Sequence, residues 1–198
     1  MKQLTTIIIF ALFCVAVNAP LNASAKKPKK AKKAPKTEQT VKITTDFLGC
    51  SIGKSNKQQV IDSLKARGYE VKLVDDETVK IEKAEISLGG ATWAEARFYF
   101  SQEILFDVAF ISGYYDYYNS CMAAYDGILA KLKEKYGKIA DPNEKLLNCS
   151  RYDCYNDKTT GLDFAIRQTQ NPNHFIILLN YYNIEMWKNY GKEVLKEI

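Results

Sequence analysis

Cysteine, histidine, acid clusters and a surplus of tyrosine are what this chain has to do chemistry with, and their spacing limits what each can do. Beyond Cys14, which sits in an apolar N-terminal run, the cysteines are Cys50, Cys121, Cys149 and Cys154. In an oxidising compartment an even set suggests two disulfides, and four cysteines allow three pairings. Cys149 and Cys154 on one unbroken strand would lie about 16 Å apart on opposite faces, so pairing them requires a turn or bulge at 150–153. The spacing is not C-x-x-C and the only histidine is His174, which argues against a metal centre and against exposed thiol chemistry. His174 opens a predicted strand with no serine, cysteine or acid motif beside it, so it reads as a turn residue rather than a base. Asp75-Asp76-Glu77 and Asp116 match no EF-hand spacing and read as solvated turns. No nucleophile elbow, P-loop or dinucleotide fingerprint is present. The expectation is a protein without catalytic residues, metal or cofactor; an enzyme would need a polar pocket holding at least two perturbed carboxylates.

Thirteen tyrosines remain. Tyrosine combines a large, stiff contact area with a hydroxyl, which suits binding surfaces as well as the margin between helix and sheet. Tyr114, Tyr115, Tyr117 and Tyr118, with Tyr181 and Tyr182 further on, are the candidate binding surface. The rival reading is packing at the helix–sheet margin.

Charge is unevenly placed. Lys26, Lys27, Lys29, Lys30, Lys32, Lys33 and Lys36 fall in an eleven-residue stretch with no acid. Setting these and Lys2 aside, 20 basic residues face 23 acidic ones, so the remainder is slightly acidic despite a formal net charge of +5. The lysines are candidate contacts for an anionic surface such as a lipid headgroup or acidic glycan. As a plain spacer, they would only keep the linker soluble. Nucleic acid is disfavoured because the acidic remainder carries no basic stripe interleaved with aromatics.

Ahead of the lysines, Lys2, the apolar run Ile7–Val17 and Ala23-Ser24-Ala25 have the layout of a secretory signal cut near Ala25. The run is too short for a membrane span, which takes about 20 residues. The expected address is periplasmic or secreted. Cys14 follows Phe13 inside the run, which disfavours lipidation.

The elements that must position these residues follow from periodicity. Residues 1–25 are read as the signal peptide and 26–44 as a Lys/Ala/Pro-rich disordered linker. Residues 45–198 are read as one α+β domain. A helix is predicted from a cap at Ser55-Asn56-Lys57 to Gly68, with Val60, Ile61 and Leu64 on one face. Strands follow at 69–74, 78–88, 93–100 and 104–111. A second helix is predicted over 117–136, with Cys121, Tyr125, Ile128, Leu129 and Leu132 as its apolar stripe. Strands at 146–155, 162–169 and 174–182 precede helical spacing over 186–197.

The order contains a repeat. Residues 60–71 (VIDSLKARGYEV) lie over 128–139 (ILAKLKEKYGKI), and each helix leads into an antiparallel meander. Two units, about 45–112 and 113–198, should therefore pack around one core.

These segments also carry a resemblance. Residues 49–55 (GCSIGKS), 133–138 (KEKYGK), 161–169 (GLDFAIRQT) and 174–183 (HFIILLNYYN) together resemble small exported proteins of Gram-negative bacteria. Their helix-then-meander units are similar to the repeats of the β-lactamase-inhibitor-protein-like fold. The resemblance covers roughly residues 45–198 and rests on loose structural motifs. It implies a fold and a periplasmic address and carries no catalytic residue; the four cysteines and the lysine stretch depart from it. The function expected is a non-enzymatic exported binding or interaction module for a protein or envelope component. The alternative is an envelope-associated structural protein acting through its lysines.

Overall fold

The structure, a computed structural model, describes residues 42–137 and 149–196. The signal-like segment and the lysines at 26–36 lie outside it.

A two-residue pairing of β1 (Asp46–Phe47) with β2 (Cys50–Ser51) precedes the first helix. α1 (Lys57–Ala66) begins where Asn56 accepts from the Gln59 backbone N–H at 2.9 Å. The Gln59 side chain accepts in turn from the Asn56 N–H at 2.9 Å, which completes a capping box. Val60 and Leu64 point into the core, and Gly68 takes the left-handed conformation just past the end.

The chain then runs antiparallel through β3 (Val71–Asp75), β4 (Thr78–Leu88), β5 (Ala91–Ser101) and β6 (Ile104–Ile111). After α2 (Tyr118–Tyr136) a second meander follows: β7 (Cys149–Asn156), β8 (Thr160–Gln168) and β9 (Phe175–Asn183). α3 (Ile184–Lys196) leaves directly from β9.

Helix-then-meander thus occurs twice, and the fold is α+β with a C-terminal helix, as the periodicity predicts. The first meander has four strands and the second three. The last strands of the two meanders, β6 and β9, pair at the centre of one seven-stranded sheet ordered β3-β4-β5-β6-β9-β8-β7.

Both α1 and α2 pack against one face of this sheet, the inner face. Phe98, Phe110, Phe164, Leu179 and Tyr181 there share a core with Val60 and Leu64 of α1 and with Cys121, Tyr125, Leu129 and Leu132 of α2. Each large apolar side chain so buried contributes about 1.5–3 kcal/mol, which is why each apolar stripe faces inward. On β7 the inward residues include Arg151 and Asp153 instead. Asp153 is buried and accepts from the Tyr125 hydroxyl at 2.6 Å, and Arg151 reaches Asp126 at 2.7 Å. This edge strand is therefore fastened to α2 by polar groups.

Candidate functional site

Side chains alternate across a strand, so the residues between those of the core form a second, outer face. Register places them in rows. One row runs Lys80, Arg97, Ala109, Asn180, Asp163, Cys154 from β4 to β7. A second runs Thr78, Tyr99, Asp107, Tyr182, Gly161, Asn156, and a third Glu82, Glu95, Ile111, Leu178, Ala165, Tyr152. Arg97, Tyr99, Ile111, Leu178, Asn180, Asp163 and Tyr152 are all half-buried.

The two halves of this face differ in charge. Over β3–β5, Lys72 and Lys80 both pair with Glu82, the latter at 2.8 Å, and Arg97 pairs with Glu95. The hydrogen bond from Lys72, and then that from Lys80, holds the Glu82 carboxyl down at about 2.

Over β6–β7 burial dominates the acids, although the charge of Arg167 acts on Asp163. Burial pushes Asp107 up to about 7, against a hydrogen bond from Trp187 and with the charge of Asp163 adding to it. Asp107 is 5% exposed. Its Oδ2 accepts from Trp187 Nε1 at 3.1 Å, while Oδ1 is buried with no hydrogen-bond partner. Burial likewise raises Asp163 to about 6, although the Tyr152 hydroxyl donates to it at 2.6 Å and the Tyr182 hydroxyl at 3.4 Å. Asn180 Oδ1, directly opposite Asp163 on the neighbouring strand, is buried without a donor.

Two perturbed carboxyls therefore share one face. With α3 in place, Asp107 lies beneath Trp187. Among the described residues no three His, Cys, Asp or Glu side chains are grouped to hold a metal ion. What the face offers is contact: ion pairs at one side, tyrosines and acceptors at the other, with Ile111 and Leu178 between them.

The sequence-predicted tyrosines divide. Tyr114, Tyr117 and Tyr118 are exposed on the connection from β6 into α2. Tyr114 packs on His174 with centroids 5.6 Å apart, and Tyr118 meets the edge of Phe175. His174 Nε2 is 3.4 Å from Asp116. Tyr115 is half-buried, its backbone exchanging two 2.9 Å hydrogen bonds with Phe175. Tyr182 lies on the outer face at the other end of β9, seven residues or about 23 Å from Phe175.

Tyr181 corrects the expectation of a binding role. It is 2% exposed and packs on Phe47 at 4.5 Å, because the register β6–β9–β8 turns it to the inner face.

Among the described residues no cysteine pair forms a disulfide. Cys50 and Cys121 are buried, and burial pushes the Cys121 thiol up to about 11. The bulge that pairing of Cys149 with Cys154 requires is present between Cys149 and Arg151. It sets both cysteines on the outer face, opposite Arg167 and Asp163. These partners are four residues apart on β8, or about 13 Å, well beyond a disulfide's reach of about 4.4–6.8 Å between Cα atoms.

Asp107, Asp163 and Asn180 are not among the residues that the sequence alone points to. The available signal was a lone polar residue inside an otherwise apolar strand, as in ILFDVAFI of β6. No family model, curated protein or solved structure matches the chain.

Proposed function

We propose that this protein is an exported, non-enzymatic binding module that holds a protein or envelope component on the outer face of its sheet. The observation that carries the reading is the face itself: several strands wide, with half-buried Arg97, Tyr99, Ile111, Leu178 and Tyr152 distributed across it. Aromatic and arginine side chains around an apolar centre are the composition of contact surfaces. The twice-repeated helix-then-meander order supports the resemblance to β-lactamase-inhibitor-protein-like proteins, and with it a periplasmic address.

The test is a photo-cross-linking amino acid at Leu178, compared with one at Asp62 on the exposed side of α1, in the protein's own host cells. A discrete adduct from position 178 that Arg97→Glu abolishes is expected. Adducts of equal yield from both positions, or adducts indifferent to Arg97→Glu, overturn the reading.

The lysine stretch favours a second reading, in which residues 26–36 hold the domain to an anionic surface. Each lysine near such a surface is worth about 1 kcal/mol, and salt weakens the sum. Deleting 26–36 should then abolish cosedimentation with phosphatidylglycerol vesicles at low salt. Unchanged cosedimentation leaves those lysines as a spacer.

A further inference from the structure

We propose that α3 is a pH-sensitive cover over one end of the outer face, docked while Asp107 is protonated and released as that carboxyl ionises. α3 crosses the face from β9 toward the β3–β4 turn. Trp187 donates to Asp107 at 3.1 Å and packs on Tyr182 with centroids 5.9 Å apart. Tyr190 packs on Phe106 at 5.0 Å, and its hydroxyl donates to Glu77 of the turn at 2.9 Å.

Beneath it, Asp107 is nine-tenths buried with one oxygen lacking any donor. Among the described residues the titratable groups facing it are Tyr99 from β5, Tyr182 from β9 and Asp163 from β8, and none of these is a cation. Arg97, one row away, is engaged by Glu95, and Lys188 of α3 is exposed. Among the described residues, a carboxylate at this position has one indole N–H and no countercharge, a costly state that hydration on lifting α3 would relieve.

The sign follows from linkage. With α3 docked, Asp107 titrates at about 7; in water it would titrate near ~3.9. From about pH 4 to about pH 7 the docked form holds a proton that the released form has lost, so docking weakens about tenfold per pH unit and levels off above. This rests on the outer-face reading only for its consequence, that release would add Phe106, Asp107 and Tyr182 to the contact surface. The device itself is readable without any partner.

The experiment is amide hydrogen exchange across α3, corrected for the intrinsic pH dependence of exchange, together with the Trp187 indole N–H resonance, on the full chain from pH 4.5 to 8. Protection of α3 should fall at least tenfold between pH 5 and 7 and be level above. Asp107→Asn should abolish the fall, whereas Asp163→Asn should leave most of it. A fall of the same size in Asp107→Asn, or none in the wild type, overturns the proposal. If Asp107→Asn does not fold, Trp187→Phe serves: it keeps a ring on Tyr182 but removes the donor, and it should lower α3 protection at pH 5. No change in that variant overturns the proposal equally.

Discussion

At Gly161 the outer face has no room for a side chain. A β-carbon there would lie 2.2 Å from Cζ of Tyr182, whose ring lies over the glycine from the neighbouring strand. Gly161→Ala must therefore push that ring aside, at a cost of about 1–3 kcal/mol for an overpacked site. A lowered urea midpoint with an unchanged slope would register it. Tyr182→Phe removes only a 3.4 Å hydrogen bond to Asp163 and should change stability far less. The contrast matters, because a large loss in both variants would mean that the hydroxyl rather than the ring organises this end of the face. The same scale separates Asp107 from the other buried strand acid. Asp153 has the Tyr125 hydroxyl at 2.6 Å and the Arg151 guanidinium at 3.5 Å, whereas one indole N–H serves Asp107.

Among the elements, α1 depends most plainly on local sequence. Its capping box satisfies two backbone N–H donors, those of Asn56 and Gln59, reciprocally, so Asn56→Ala should cost about 1 kcal/mol. Chemical denaturation monitored by helix ellipticity checks this, and an unchanged midpoint would mean that packing of Val60 and Leu64 alone holds the helix. Such local signals made the elements legible: the cap at Asn56, the reversal at Asp75–Glu77 and the stripe on α2 each lie within a few residues of the structure they specify. The outer face was not legible for the opposite reason. Asp107 meets Tyr182 only because β6 pairs with β9 across an intervening helix and two strands. Alternation indicates that Tyr181 and Tyr182 point to opposite faces but not which one points inward; the register with β6 and β8 decides that. Cys149 and Cys154 changed their relation through a single bulge, which moved both to one face and still left them apart.

For the whole molecule, the two kinds of perturbed acid pull stability in opposite directions with pH. Glu82, held at about 2 by Lys72 and Lys80, gives stability that is present above the ordinary carboxylate range and lost as pH falls toward 2. Asp157 acts in the same sense, kept low by backbone N–H groups of Thr159, Ile43 and Thr160 that outweigh its partial burial. Asp107 at about 7 and Asp163 at about 6 do the reverse. Their contribution is full below the unfolded value near ~3.9 and is lost as pH rises to their folded values. Because these two acids are the more deeply buried, their effect should prevail above pH 4. Stability is then expected to peak in the mildly acidic range and decline toward neutrality. Urea midpoints at pH 4.5, 6 and 7.5 measure this, and a midpoint that climbs steadily to 7.5 would contradict it. Asp107→Asn should flatten part of the decline. Comparing that decline with the pH dependence of α3 exchange then says where the proton is released. If α3 is a separate cover, exchange in α3 responds to pH while exchange in the core strands β5 and β6 stays far slower at every pH. If both respond together and at the same rate, α3 lifts only when the whole domain unfolds, and Asp107 is a matter of stability alone.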